Sequence, residues 1–317
     1  MPNSIGMSCY TQELVCQVGQ EYTFSHGEKV FDQFTKSEVH AKQIERVSHY
    51  WGQKLIEEDC NRIKKEELAE YSPEDADELY YVSVDGSMYF TREEGWKEIK
   101  LGRIFKASNL LRVSPSRREV KSSQYVTHLG GVKDFIPKMD YHIENLKNKV
   151  FIADGAIWIW NWIEDTYPEC VQIVDYYHAR EHLCEFANEV FKSDDNKRIQ
   201  WIENVKQVLI EQGVDPIIED LLSMEVSDTY IASKDKLLGY LQPNKKRMQY
   251  HKFIEDGLDI GSGAMEAAHR NVLQHRVKRS GQRWTINGIQ QITTLRASLM
   301  STNNGQRLHA LIQKKAA

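Results

Sequence analysis

The chain opens with apolar positions at helical spacing, in TQELVCQVGQEY and again in AKQIERVSHYWGQKLIEED. Roughly the first 70 residues are therefore expected to be helices. Ser37 stands before the second run as a candidate N-cap. The connection FTKSEV suits two packed helices or a helix-turn-helix, and the latter would set its second helix against DNA. Near Leu79 the period changes. LYYVSVDGSMYFTR and WKEIKLGRIFKAS are rich in β-branched and aromatic residues and are parted by polar turns, as neighbouring antiparallel strands would be. SSQYVTHLG is a third strand, followed by a helix through FIPKMDYHIENLKN. KVFIADGA, IWIWNWIEDTYP, CVQIVDYY and the stretch from about His178 then read as strand, helix, strand and helix. The result is an α/β fold, a mixed sheet with flanking helices.

From about Ser193 to Lys246 the pattern is helical only, as in RIQWIENVKQVLIEQG, and reads as an all-helical insertion. The main fold resumes at GLDIGSGAMEAAHRNVLQHRVKRSGQRW, a helix opened by a glycine-serine turn at Ser262. The expected division is a helical N-terminal segment over 1–75, the first part of the sheet domain over 76–192, the insertion over 193–256, and the final helix with a basic C-terminal region over 257–317.

With 317 residues, 41% hydrophobic and 27% charged, the chain is long enough for one large domain and a smaller one. It contains no run of about 18 apolar residues. Its start, MPNSIGMSCYTQ, lacks the basic-then-apolar pattern of a secretion signal. A cytoplasmic protein with no membrane partner is expected. The five cysteines (Cys9, Cys16, Cys60, Cys170, Cys184) are scattered without a C-x-x-C pair, which argues against a disulfide framework or a cysteine zinc site.

The net charge of -5 hides an asymmetry: from Ser262 onward nine Lys and Arg face one acid, Glu266. Such a stretch would draw a polyanion such as DNA, or else form a solvated basic helix. Its candidate DNA contacts are His269, Arg270, Arg276, Lys278, Arg279, Arg283 and Trp284, the last placed beside Arg283 where a base could stack. Trp158, Trp160 and Trp162 read first as packing residues.

Three carboxylates stand out. Asp85 follows the apolar YYVSV and Asp154 the apolar VFIA, each followed at once by glycine. Asp-Gly is also a hairpin signal, which Asp85 alone would satisfy. Asp154 instead precedes an aromatic helix, and a carboxylate at the end of a buried strand needs a partner to offset desolvation. Mg²⁺ is one natural partner for such oxygens. Glu266, alone among bases, could complete a metal site, suit the helix dipole, or pair with Arg270. A competing pattern, His178-Ala-Arg-Glu181-His182, spells the inverted zinc-peptidase motif. It lacks an identifiable third protein ligand and is set aside.

The phrases VSVDGSMYFTREEGWKEIKLGRIF, THLGG, FIADGAIWIWNWIEDTYPECVQIVDYYHAREHL and GLDIGSGAMEAAHRNVLQHRVKRSGQRWT, followed by GIQQITTLRAS, resemble bacterial insertion-sequence transposases related to the Mutator-like class of DDE enzymes. They fall in family order and span most of the chain after residue 80. The resemblance implies an RNase H-like catalytic domain interrupted by a helical insertion. It implies Asp85, Asp154 and Glu266 as catalytic and metal-holding residues, with Mg²⁺, or Mn²⁺ in its place, as cofactor. The class's signature of Asp or Cys, two residues, then His matches Asp175 to His178, implied to be accessory residues that position substrate. Implied partners are DNA at element ends and targets, and further copies of the chain in a homo-oligomer on DNA. Alternatives of other kinds are a nuclease of the same fold that does not join strands, and a silent DNA-binding remnant of a mobile element. Full members of the class carry more sequence before the helical region at which this chain begins.

Overall fold

The computed structural model describes residues 6–114, 117–261, 263–302 and 305–316, so the turn expected at Ser262 lies outside the described residues. Four helices come first, α1 (Cys9–Glu21), α2 (Phe24–Thr35), α3 (Ala41–Lys64) and the short α4 (Pro73–Asp77). Strands β1 (Leu79–Thr91), β2 (Gly95–Lys106), β3 (Leu110–Ser114), β4 (Arg117–Val120) and β5 (Gln124–Leu129) follow, then α5 (Val132–Ile143). Next come β6 (Asn148–Ala153), α6 (Ile157–Thr166), β7 (Val171–Val174) and α7 (Tyr176–Val190). The remainder is helical: α8 (Asp195–Glu211), α9 (Asp215–Ser223), α10 (Ile231–Asn244), α11 (Tyr250–Glu255), α12 (Gly263–Ala268), a π-helical segment His269–Gln274, α13 (His275–Val277), α14 (Ile286–Met300) and α15 (Gln306–Ala316).

The fold is α/β, with a mixed five-stranded sheet in the order β5-β2-β1-β6-β7 and flanking helices. The chain divides into two compact units, one of Met1–Lys149 with Ala264–Ala317 and one of Val150–Gly263. Among the described residues no helix is long and apolar enough to cross a membrane.

In the first unit β1 pairs antiparallel with β2, as the alternation of apolar residues predicts, and β2 pairs antiparallel with β5. The turn of the first hairpin is not at Asp85-Gly86. β1 runs on to Thr91, and the loop Arg92–Glu94 closes on Gly95, whose φ of 69° is the left-handed residue of a three-residue hairpin loop. Asp85 therefore sits within a strand opposite Leu101, because the partner strand is long enough to continue the ladder past it. The small hairpin of β3 and β4 was not expected from the pattern, its segments being short and partly polar.

The N-terminal helices and the C-terminal ones share a single core with this sheet. Val15, Phe31, Ile44, Val47, Trp51 and Leu55 meet Tyr89, Ile99 and Leu101 and also Met265, Val272, Ile289, Ile292 and Leu295. The packing is tight at Gly52 of α3, where an added Cβ would stand 2.2 Å from the Gln291 carbonyl oxygen of α14. α3 thus spends its apolar face on α14 and α1, and Trp51 donates its Nε1 hydrogen to Gln12 at 2.9 Å. Ser37 is not the cap of α3; His40 is, with Gln43 returning the bond as a capping box.

The basic C-terminal stretch is partly consumed within this unit. Arg296 is buried and donates to the Asn271 carbonyl (3.0 and 2.7 Å), the Gln20 carbonyl (2.8 Å) and Glu21 (2.9 Å). Arg307 pairs with Glu58 and Asp59 of α3. These bonds tie the two ends of the chain together. Burial pushes the Glu21 carboxyl up, but the hydrogen bond and charge of Arg296, helped by His275, outweigh it and hold its pKa below the usual value. A carboxylate lowered in the folded state contributes stability above its unfolded pKa and loses it as pH falls through the folded one. Between about pH 5 and pH 2, wild type is expected to lose stability more steeply than Glu21→Gln in thermal melts. Parallel curves would show that the ion pair contributes nothing.

The second unit holds a right-sized crossover: β6 and β7 are parallel, from Val150 opposite Val171 to Ala153 opposite Val174, and α6 links them. Trp160 and Trp162 of α6 are buried, Trp160 under the Arg247 guanidinium (4.5 Å) and Trp162 against Phe151 and Tyr167. They are packing residues. Helices α8–α11 fill the rest of the unit, and Tyr250 Oη donates to the Val174 carbonyl at 2.9 Å.

Candidate functional site

In the first unit, Asp85 presents its carboxylate from the middle of β1. Its Oδ1 accepts from the Gly86 N–H at 2.6 Å, and its Oδ2 lies 2.9 Å from His269 Nε2. The His269 ring is buried, and neither of its nitrogens makes an aligned hydrogen bond, so the approach is a close contact without hydrogen-bond geometry. His269 follows α12 directly, at the start of the π-helical segment. The wider π turn breaks the ordinary helical spacing at a point where functional residues are often found. Glu266, one turn earlier, is 77% exposed and pairs with Arg270 at 3.3 Å, the i,i+4 pair that its spacing allowed.

In the second unit, Asp154 follows β6 directly and its Oδ1 accepts from the Ala156 N–H at 3.0 Å, in the turn that starts α6. Asp175 caps α7, accepting from the His178 N–H at 2.7 Å. The Asp175-to-His178 signature is, locally, an N-cap and its third helical residue. His178 in turn faces His182, with Nε2 atoms 3.2 Å apart, and Tyr240 of α10 packs edge-on against His178 and tilted against His182. Tyr240 carries no sequence signal of its own, because a lone tyrosine on a helical insertion reads as packing.

The donor set Asp85, Asp154 and Glu266 suits a hard divalent cation in kind, being all carboxylate oxygen. Among the described residues, however, no three His, Cys, Asp or Glu side chains are grouped so as to hold a metal ion.

The predicted DNA contacts separate into two sets. Arg270, Lys278 and Arg283 are exposed. Arg279 is half-buried and donates to the Glu21 carbonyl at 2.8 Å. Arg276 is 0% exposed, with its guanidinium 4.7 Å from the Phe24 ring centroid and 4.8 Å from that of Trp284. Its Nε donates to the Gly19 carbonyl at 2.9 Å. Burial foremost, and then Arg279 and Arg296, push its pKa down to about 9, which leaves it a cation at neutral pH. Trp284 is buried in the same cluster, with Phe24 and His49 around it. Arg276, Trp284 and His269 are thus buried in this structure, and a run of basic letters could not reveal which arginine turns inward.

Comparison of the chain with protein-family models gave no match, and comparison with curated proteins gave none either.

Proposed function

We propose that the protein is a DDE-type transposase that cleaves DNA at the ends of a mobile element and joins the freed 3′ ends to target DNA. In this reading the mixed sheet is an RNase H-like core, and Asp85, Asp154 and Glu266 are its essential carboxylates. The observation that carries it is the approach of His269 to Asp85. The strand bearing the first motif and the helical segment bearing the last belong to one compact unit, although 150–263 lies between them in the chain. A sequence-order match alone would not require that. Mg²⁺, or Mn²⁺ in its place, is the cofactor this donor set suits, and bound it would polarise the scissile phosphate. Exposed Arg270, Lys278 and Arg283 supply phosphate contacts, and the chain works as a homo-oligomer on DNA.

The test is a cleavage and joining assay with the full chain and DNA taken from both flanks of its gene. Strand cleavage at terminal inverted repeats and covalent joining to a target plasmid are expected in Mg²⁺, lost on thorough EDTA treatment and restored by Mg²⁺ or Mn²⁺. Cleavage without joining would make the protein a nuclease. Activity indifferent to EDTA, or no cleavage of any flanking DNA, would overturn the reading.

A further inference from the structure

Helix α7 carries two imidazoles one turn apart whose Nε2 atoms are 3.2 Å from each other, with ring planes at 86°. Each ring has a carboxylate on its other side. His178 Nδ1 lies 3.7 Å from Glu181 Oε2, and His182 Nδ1 lies 3.7 Å from Glu185 Oε2. A carboxylate facing Nδ1 favours the proton there and leaves the lone pair on Nε2, the same relay that orients metal-bound histidines. With one Nε2 protonated the two rings share a hydrogen bond; with both protons on Nδ1 the two Nε2 lone pairs face each other and can take a cation between them.

We propose that His178 and His182 form a binding site for a divalent transition-metal ion of the Zn²⁺ or Ni²⁺ class, held by the two Nε2 atoms. At a metal–nitrogen distance of about 2.05 Å, two nitrogens 3.2 Å apart subtend about 100° at the metal, near the tetrahedral angle. Tyr240 closes one side, its ring centroid 4.1 Å from that of His182 and its hydroxyl buried without a hydrogen-bond partner. The side chains of His178 and His182 keep 36% and 25% of their surface exposed, so an ion can reach them. No third His, Cys, Asp or Glu joins the pair among the described residues. The remaining coordination positions therefore go to water or to an oxygen of a bound molecule, and the ion exchanges readily, unlike one in a closed four-ligand site. Imidazole selects zinc and nickel where carboxylates select magnesium and manganese, which sets this site apart from the proposed catalytic carboxylates. The inference stands without the transposase reading and does not restore a peptidase, which would need a third protein ligand.

Calorimetric titration of the full chain with ZnCl₂ and with NiCl₂, without DNA, tests it. One saturable site per chain is expected, weakened at least about tenfold by His178→Gln or His182→Gln, and weakened less by Glu181→Gln or Glu185→Gln. MgCl₂ at equal concentration should not compete. Because five cysteines offer another zinc ligand type, Cys184→Ser serves as a control and should bind as wild type. If a histidine variant fails to fold, long-range ¹H–¹⁵N spectra of wild-type imidazoles give the answer. Zinc should then shift Nε2 of both rings and leave Nδ1 protonated. Absence of a saturable site in wild type, or binding unchanged by both histidine substitutions, would leave only a His–His hydrogen bond and overturn the proposal.

Discussion

Replacing Asp85, Asp154 or Glu266 by alanine is expected to lower DNA strand cleavage by about three orders of magnitude or more, the scale seen when one member of a group acting as a unit is removed. DNA affinity should change little, because affinity comes from cations on phosphate and not from these carboxylates. The local structure predicts how each variant folds. Glu266 makes only an exposed ion pair, so its loss leaves few unsatisfied groups, whereas Asp85 accepts from its neighbour's N–H and also faces the buried His269, which the alanine would leave without that contact. Asp154 accepts from the Ala156 N–H ahead of α6, so Asp154→Ala should cost about 1 kcal/mol, the scale of one hydrogen bond, and Asp154→Asn less. Cleavage rates, binding isotherms and melting curves measured together separate the effects. A single variant of the three that cleaves at near wild-type rate would remove that residue from the essential set.

Arg276→Ala should destabilise the protein by about 3 kcal/mol, since it strands the Gly19 carbonyl and removes a desolvated cation from between two aromatic rings. It should not change how DNA binding responds to salt. Reversing the exposed pair, Lys278→Glu with Arg283→Glu, is expected to do the opposite. The slope of log affinity against log salt should flatten by about two units, one for each phosphate that is no longer neutralised. Stability should shift by no more than about 0.5 kcal/mol, as for most surface substitutions. Chemical denaturation and salt-dependent binding on both variants check this. A stable Arg276→Ala with a flattened slope would mean that the guanidinium leaves its cage to hold DNA.

Much of the secondary structure was legible in the chain because its periods are strong. The alternation in LYYVSVDGSMYFTR and WKEIKLGRIFKAS and the short apolar runs before Asp154 and Asp175 read directly as β1, β2, β6 and β7. The helical spacing of AKQIERVSHYWGQKLIEED read as α3, although its cap fell three residues later than Ser37. At Asp85 two local rules competed. Asp-Gly marks hairpins, but β2 offered partners beyond it, and the paired ladder outweighed the turn preference.

What the sequence by itself determined is most of the helices and longer strands and the positions of the carboxylates along them, since both follow from periodicity and residue type within about a dozen neighbours. The fate of the basic residues was decided only by tertiary structure. Arg276, Arg296 and Arg307 look like surface cations in the sequence, yet they meet Phe24, Glu21, Glu58 and Asp59 from the opposite end of the chain. In the same way His269, one basic residue among several in the sequence, faces Asp85 only once the chain has returned from 150–263 to the first unit. A buried charge is tolerated only beside a partner that repays its lost hydration, and nothing local in the chain says where that partner is.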